Sequence, residues 1–357
     1  MRKLLSLNKE KNMLNKNLVK RKVFGSLICS AMGDSIGAAT ENLPFRSIRE
    51  KYNGELREFV APDKSAFAYG NQAGEITDDF SQTYLLAKQI VANQGKIDTA
   101  CVEKMLMEWS DIPRWFLRFT GPTTRFAIEN IKSRYAGKGE LVRNEVIDYA
   151  RQATNGSAMK ISPAGLFHPC QIDKAIEDAC TIAAVTHDND LAIAGACATA
   201  AAIAYSFHED ANVDGLIQAG IYGAEKGEER GKQYRVVGGP NVAERIRLAL
   251  LIAEGDGTKE EKLEKIYNWV GTGLHISEAV PAAFGIIKIC NGEALDATYE
   301  AVNIGYDTDT VACIVGSMVG ALQGTDADML ECVKVIDAAN NIQIEALADQ
   351  ITDMLCS

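Results

Sequence analysis

The chain has 357 residues, of which 47% are hydrophobic and 24% charged, and a formal net charge of −11. That is the balance of an ordinary globular chain, and it excludes a broad basic face for nucleic acid. No run of about 20 apolar residues occurs, so no membrane-spanning helix is expected; residues 191–205 come nearest and are mostly alanine.

Residues 1–22 are rich in Lys, Arg and Asn but lack the apolar core of a signal peptide. They are expected as a basic N-terminal extension. Beyond them helical signals dominate, with only 8 prolines and few alternating strand patterns. Helices are expected over 23–39, 80–93, 99–109, 123–135, 172–186 and 191–207. Others are expected over 213–226, 242–254, 259–269, 311–322 and 328–355. Turn chemistry at Pro62-Asp63, Gly121-Pro122, Asn155-Gly156, Gly238-Gly239-Pro240 and Gly255-Asp256-Gly257 separates them. Residues 57–74 are expected as a surface loop. With no linker, repeat or low-complexity tract, residues 23–357 form one all-α domain. Nine cysteines, Cys29 to Cys356, include no C-x-x-C, and Cys180, Cys197 and Cys313 fall in apolar runs. Buried free thiols in a reducing, cytoplasmic setting fit this usage.

Two acidic clusters carry the chemical signal. Thr77-Asp78-Asp79 closes the segment Gly74–Asp79, and Asp307-Thr308-Asp309-Thr310 follows Asn303-Ile304-Gly305-Tyr306. Each stands just ahead of an expected helix. Close carboxylates repel unless a cation sits between them. Oxygen donors without Cys or His at ligand spacing suit Mg²⁺ or Mn²⁺ rather than zinc. Four carboxylates balance two divalent ions, so the clusters are expected to meet as a binuclear site. Helix capping alone also explains a Thr-Asp-Asp; the surplus acid in both clusters favours metal.

Gly33-Asp34-Ser35-Ile36-Gly37, with Glu41 beyond, adds two acids beside glycines that permit close backbone approach. A helix-end cap for Asp34 and a solvated loop acid for Glu41 are the plainer alternatives. Asn155-Gly156-Ser157-Ala158-Met159 is a turn that either holds phosphate oxygens or only reverses the chain. His187, after Thr186, is more simply structural than catalytic. No G-x-S-x-G elbow supports a serine nucleophile.

Together these segments, from about Val23 to Gly324, resemble the ADP-ribosylhydrolase (ADP-ribosylglycohydrolase) family, which includes the dinitrogenase-reductase-activating glycohydrolase. Gly121-Pro122-Thr123-Thr124-Arg125 is a weaker further match. The resemblance implies an all-α fold with a dinuclear Mg²⁺ or Mn²⁺ cleft. It implies Thr77, Asp78, Asp79, Asp307, Asp309 and Thr310 as metal ligands. Glu41, Asp34 and Asp78 become candidates for proton relay. Gly121, Gly156, Ser157, His187, Asn303 and Tyr306 become candidates for binding substrate. The implied reaction is metal-dependent cleavage of the bond from ADP-ribose to a protein side chain or related leaving group; the acidic surface and single domain suit a monomer. A noncatalytic ADP-ribose-binding protein and a hydrolase of another nucleotide or N-glycoside are the alternatives. Phe80, Tyr306 and Lys160 depart from the usual Thr, Gly and Arg of the pattern, which bears on substrate choice.

Overall fold

The computed structural model describes residues 15–141, 148–325 and 327–357. Among them are seventeen α-helices and no strand. In order they are α1 (Lys16–Gly37), α2 (Phe45–Lys51), α3 (Asp78–Ala92), α4 (Thr99–Ser110), α5 (Pro113–Phe119), α6 (Pro122–Tyr135), α7 (Ser162–Leu166), α8 (Ile172–Ala184) and α9 (Asp190–Tyr205). Then come α10 (Val213–Gly231), α11 (Val242–Glu254), α12 (Lys259–Lys265), α13 (Ile276–Ile289), α14 (Ala294–Val302), α15 (Thr308–Gln323), α16 (Ala327–Asn340) and α17 (Ile344–Leu355). The all-α expectation holds.

Several boundaries shift by a few residues, α10 running on to Gly231 and α12 stopping at Lys265, and three larger departures from expectation stand beside them. The first helix opens at Lys16 rather than Val23, with Asn15 accepting from the Asn17 and Leu18 amides as its cap. Residues 16–22 of the expected extension are therefore its first turns; residues 1–14 lie outside the described residues. Lys22 is buried there, its ammonium donating to the Ser206 and Leu322 carbonyls at 2.5 and 2.9 Å. The C-terminal stretch breaks into α16 and α17 because Asn341 adopts a left-handed φ of 54°. Finally, α2, α5, α7, α13 and α14 arise where no helix was expected. Of these, α13 runs through Pro281, whose ring removes one hydrogen bond from the helix.

The centre of the fold is the crossing of α1 and α15. Both are buried along almost their full length. Their backbones touch because glycines face backbone across the contact. A Cβ at Gly33 would lie 2.3 Å from the Ala312 carbonyl oxygen, and one at Gly316 2.2 Å from that of Cys29. This contact, closer than side chains allow, sets the end of α1 against the start of α15. On the far side α9, buried all round, packs against α8 and α10.

Candidate metal centre

Three chain segments converge at that crossing: the end of α1 with the turn after it, the N-terminus of α3, and the N-terminus of α15. Gly37 makes the approach possible, since a Cβ there would lie 2.7 Å from Asp309 Cα. Thr308 Oγ1 then donates to the Gly37 carbonyl at 2.9 Å, and Thr40 Oγ1 donates to the Val302 carbonyl at 2.6 Å.

Asp34 braces the second segment. It accepts from the Thr77 amide (3.0 Å), the Thr77 hydroxyl (2.7 Å) and the Phe80 amide (2.9 Å). It thus caps α3 from another helix and fixes the Thr-Asp-Asp turn. Asn340 holds the same segment from outside: its amide donates to the Gly74 carbonyl and accepts from the Ile76 amide.

Five of the six acids meet in two overlapping groups, and Asp78 is in neither. Asp34, Asp79 and Asp309 each place a carboxylate oxygen within 4.8 Å of the others, and so do Glu41, Asp307 and Asp309. Asp309 belongs to both. Asp79 Oδ1 and Glu41 Oε2 are buried without a hydrogen-bond partner among the described residues. Asn155 donates its side-chain amide to Asp307 Oδ2 at 2.5 Å, and the Asp307 amide donates to the Thr272 carbonyl at 3.1 Å. A largely buried, oxygen-only donor set with unpartnered carboxylate oxygens fits hard divalent cations.

The electrostatics follow from crowding. Burial, then Asp307, Asp78 and Asp34, pushes Glu41 up to about 8. Burial and Asp34 push Asp78 up to about 8, and burial raises Asp34 to about 6. Burial, with Asp78 at the first and Glu41 at the second, lifts Asp79 and Asp309 well above the carboxylate range. The nearby cation is Lys160, wholly buried, with its ammonium on the Gly156 carbonyl; burial lowers it to about 8 against the pull of Asp78 and Asp79.

A pH dependence follows. These carboxyls have folded-state pKa values above their unfolded value of about 4. Their contribution is fully present below that value and is lost as pH rises through about 6 to 8. In EDTA, the thermal midpoint is expected to fall between pH 5 and pH 8, and saturating Mn²⁺ should restore most of the loss at pH 8. A scanning fluorimetry series checks both.

The other expected residues fall into different places. His187 is buried between two threonines, Nδ1 at 2.8 Å from Thr186 Oγ1 and Nε2 at 2.8 Å from Thr154 Oγ1. Burial holds its pKa well below the usual value. It forms a neutral wall against Gly156, where a Cβ would lie 3.1 Å from the imidazole Cε1. The Ser157 hydroxyl donates to the Ala192 carbonyl at 2.9 Å. Asn303 is not brought into the acid cluster's bonding. Its buried amide clamps Leu56 through both backbone groups (2.8 and 3.0 Å) and reaches the Tyr299 carbonyl. Gly121 is exposed at the N-cap of α6, two residues beyond Phe119, which packs on Ala38 and Ala68. Tyr306 stands at the lip, 45% exposed, with a left-handed φ of 68°. Its backbone pairs with Asn42 and Leu43 beside Glu41, and its ring lies against Gly273. Thr40 and Asn340 are parts of the site that no sequence signal marks, whereas Asn155 belongs to the turn already noted, its bond to Asp307 being the unexpected part.

The ADP-ribosylglycohydrolase family profile matches residues 15–356. The chain belongs to the ADP-ribosylglycohydrolase family. It is 29% identical over 341 residues to the protein YegU of Escherichia coli K12, covering 92% of this chain and 95% of that one. It is 25% identical to the ADP-ribosylarginine hydrolase Tri1 of Pseudomonas putida GB-1, with 92% and 77% covered. A solved structure described as an ADP-ribosylglycohydrolase-related protein complex shares the fold, with a TM-score of 0.64 at 21% identity over 95% of this chain and 99% of that one. The family acts on ADP-ribosylated substrates. No described helix is long and apolar enough to cross a membrane.

Proposed function

We propose that this family member is a metal-dependent hydrolase of the N- or O-glycosidic bond joining ADP-ribose to a protein side chain or related group. The observation that carries the proposal is the pair of acid groups sharing Asp309, with buried carboxylate oxygens left unpartnered. Thr77, Asp78, Asp79, Asp307, Asp309 and Thr310 would hold two divalent cations, Mg²⁺ or Mn²⁺. Such ions supply Lewis acidity and lower the pKa of bound water.

The chain's own residues have separable tasks. Asp34 orients the Thr-Asp-Asp turn through its three donors, and Asn155 orients Asp307. Glu41, with Oε2 unpartnered and its carboxyl pushed up to about 8 by burial, holds or moves a proton at the edge of the cleft. Gly156, Ser157 and His187 would form a fixed wall for ADP-ribose. In the net reaction the anomeric carbon loses its bond to the leaving group and gains the water oxygen, and the leaving group takes a proton.

The test is ADP-ribose release from arginine-, serine- and DNA-base-linked ADP-ribose and from O-acetyl-ADP-ribose, with Mg²⁺, Mn²⁺ or EDTA. The name of the Tri1 relative makes the arginine linkage the first to try. Release from at least one linkage, abolished by EDTA, is expected. Binding of ADP-ribose without release would instead make the chain a binding protein, and cleavage confined to simple nucleosides would make it a different N-glycosidase.

Tyr306 is the residue placed to choose among leaving groups, since it flanks Glu41 at the open end. Tyr306→Gly is expected to change the ratio of kcat/KM between two linkages by about tenfold, the worth of one aromatic contact. Stability should stay within about 1 kcal/mol, because relief of the left-handed backbone offsets the lost ring contact. Paired kinetics and denaturant unfolding check this; an unchanged ratio removes the selecting role.

A further inference from the structure

Two thiols behind the wall of the cleft touch each other. Cys180 of α8 and Cys197 of α9 have their sulfurs 3.4 Å apart, both buried, and neither is in a disulfide. The two sides of the pair differ. Cys197 is wholly buried and locked against α10: a Cβ at Gly223 would lie 2.3 Å from its carbonyl oxygen, and one at Gly227 2.9 Å from its sulfur. Cys180 is 5% exposed and sits on the amphipathic α8, between the buried Ala179 and the half-buried Thr181. The contact with Cys197 favours thiolate at Cys180 against the opposing effect of burial, with a smaller contribution from Arg230, whereas burial disfavours it at Cys197. The less enclosed sulfur, on α8, is thus the nucleophile and the locked one its resolving partner.

We propose that Cys180 and Cys197 are an oxidative modification site, a dithiol that a small hydroperoxide closes to a disulfide. The Cys180 thiolate attacks one peroxide oxygen, breaking the O–O bond, forming a sulfenic acid and releasing hydroxide, which takes up the proton lost from Cys180. The Cys197 thiol then attacks the Cys180 sulfur; the S–S bond forms and the sulfenic oxygen leaves as water. Two thiols and one hydrogen peroxide become one disulfide and two waters.

The sulfurs must close from 3.4 Å to about 2.05 Å. With α9 pinned by α10, α8 does the moving. It leads directly into Thr186 and His187, whose imidazole meets Thr154 beside Gly156. Closure is therefore expected to disturb this wall and weaken ADP-ribose binding; this last consequence rests on the proposed function.

The experiment treats the full chain with hydrogen peroxide, then maps disulfides by mass spectrometry and counts free thiols after denaturation. The expected result is loss of two hydrogens in mass, two fewer thiols, and a cross-linked peptide joining Cys180 to Cys197, all absent in Cys180→Ser and in Cys197→Ser and reversed by dithiothreitol. Thiol loss unaffected by either substitution, linkage through other cysteines, or oxygen addition without hydrogen loss would overturn the site. Calorimetry with ADP-ribose and Mn²⁺ reads the coupling: several-fold weaker binding is expected in the oxidised wild type and none of that change in peroxide-treated Cys180→Ser. A disulfide with unchanged affinity overturns the coupling. Absence of ADP-ribose binding in the reduced protein counts against the proposed function instead, and leaves the mass result standing.

Discussion

Asp309→Ala is expected to reduce metal-dependent ADP-ribose release by at least about 10³-fold, equivalent to roughly 4 kcal/mol of lost transition-state stabilisation. The reason is topological. Asp34, Asp79, Glu41 and Asp307 each belong to one acid group, whereas Asp309 supplies an oxygen to both. Its loss therefore weakens two cation positions together, and calorimetric Mn²⁺ titration should show no tight site. The metal-free protein should respond in the opposite sense. Asp309 is buried among Glu41, Asp79 and Asp307, which raise its pKa. Asp309→Asn keeps the volume and removes that repulsion, so its thermal midpoint in EDTA at pH 8 should equal or exceed that of the wild type. A variant that lost activity by unfolding would show the reverse. Full activity in Asp309→Ala would remove the shared-ligand arrangement.

The parts of the site that could be recognised from sequence are those whose partners are close in sequence. Thr77-Asp78-Asp79 and Asp307-Thr308-Asp309-Thr310 each pack several donors into one helical turn, so their density alone signals an unusual need for negative charge. The supporting bonds span long separations: 43 residues from Asp34 to Thr77, 152 from Asn155 to Asp307, and 264 from Asn340 to Ile76. No local pattern encodes them. Asp34 shows the difference. Its acidity and its neighbouring glycines were visible, but its task is set by three donors from α3 and is bracing first. Asn303 shows the converse, a polar residue inside a metal motif whose amide is spent on Leu56, 247 residues earlier. Helices were recognisable where apolar periodicity was long; short α2, α5 and α7 owe their existence to tertiary packing, and the break at Asn341 turns on one left-handed residue.

The fold itself should fail at a single methyl group. Gly33→Ala would be favoured by helix propensity, by about 1 kcal/mol for an interior position of α1. Against this, the new Cβ would stand 2.3 Å from the Ala312 oxygen and 2.4 Å from its carbonyl carbon. These are backbone atoms of α15, which no rotamer change can withdraw. Overpacking of side chains alone costs about 1–3 kcal/mol, and here two buried helices must separate. The clash should win, leaving a net loss of about 3 kcal/mol or more in denaturant unfolding. Gly238→Ala is the matched control, since nothing lies within 4 Å of that position and its φ is not left-handed; it should be near neutral. The damage should also reach the cleft. Gly33 adjoins Asp34, and Ala312 lies one helical turn beyond Asp309, so a wedge between them moves the two acids apart. Mn²⁺ affinity should fall along with stability in Gly33→Ala, under conditions where the protein remains folded. Loss of stability with Mn²⁺ affinity intact would mean that the helix crossing supports the fold without setting the spacing of the acids.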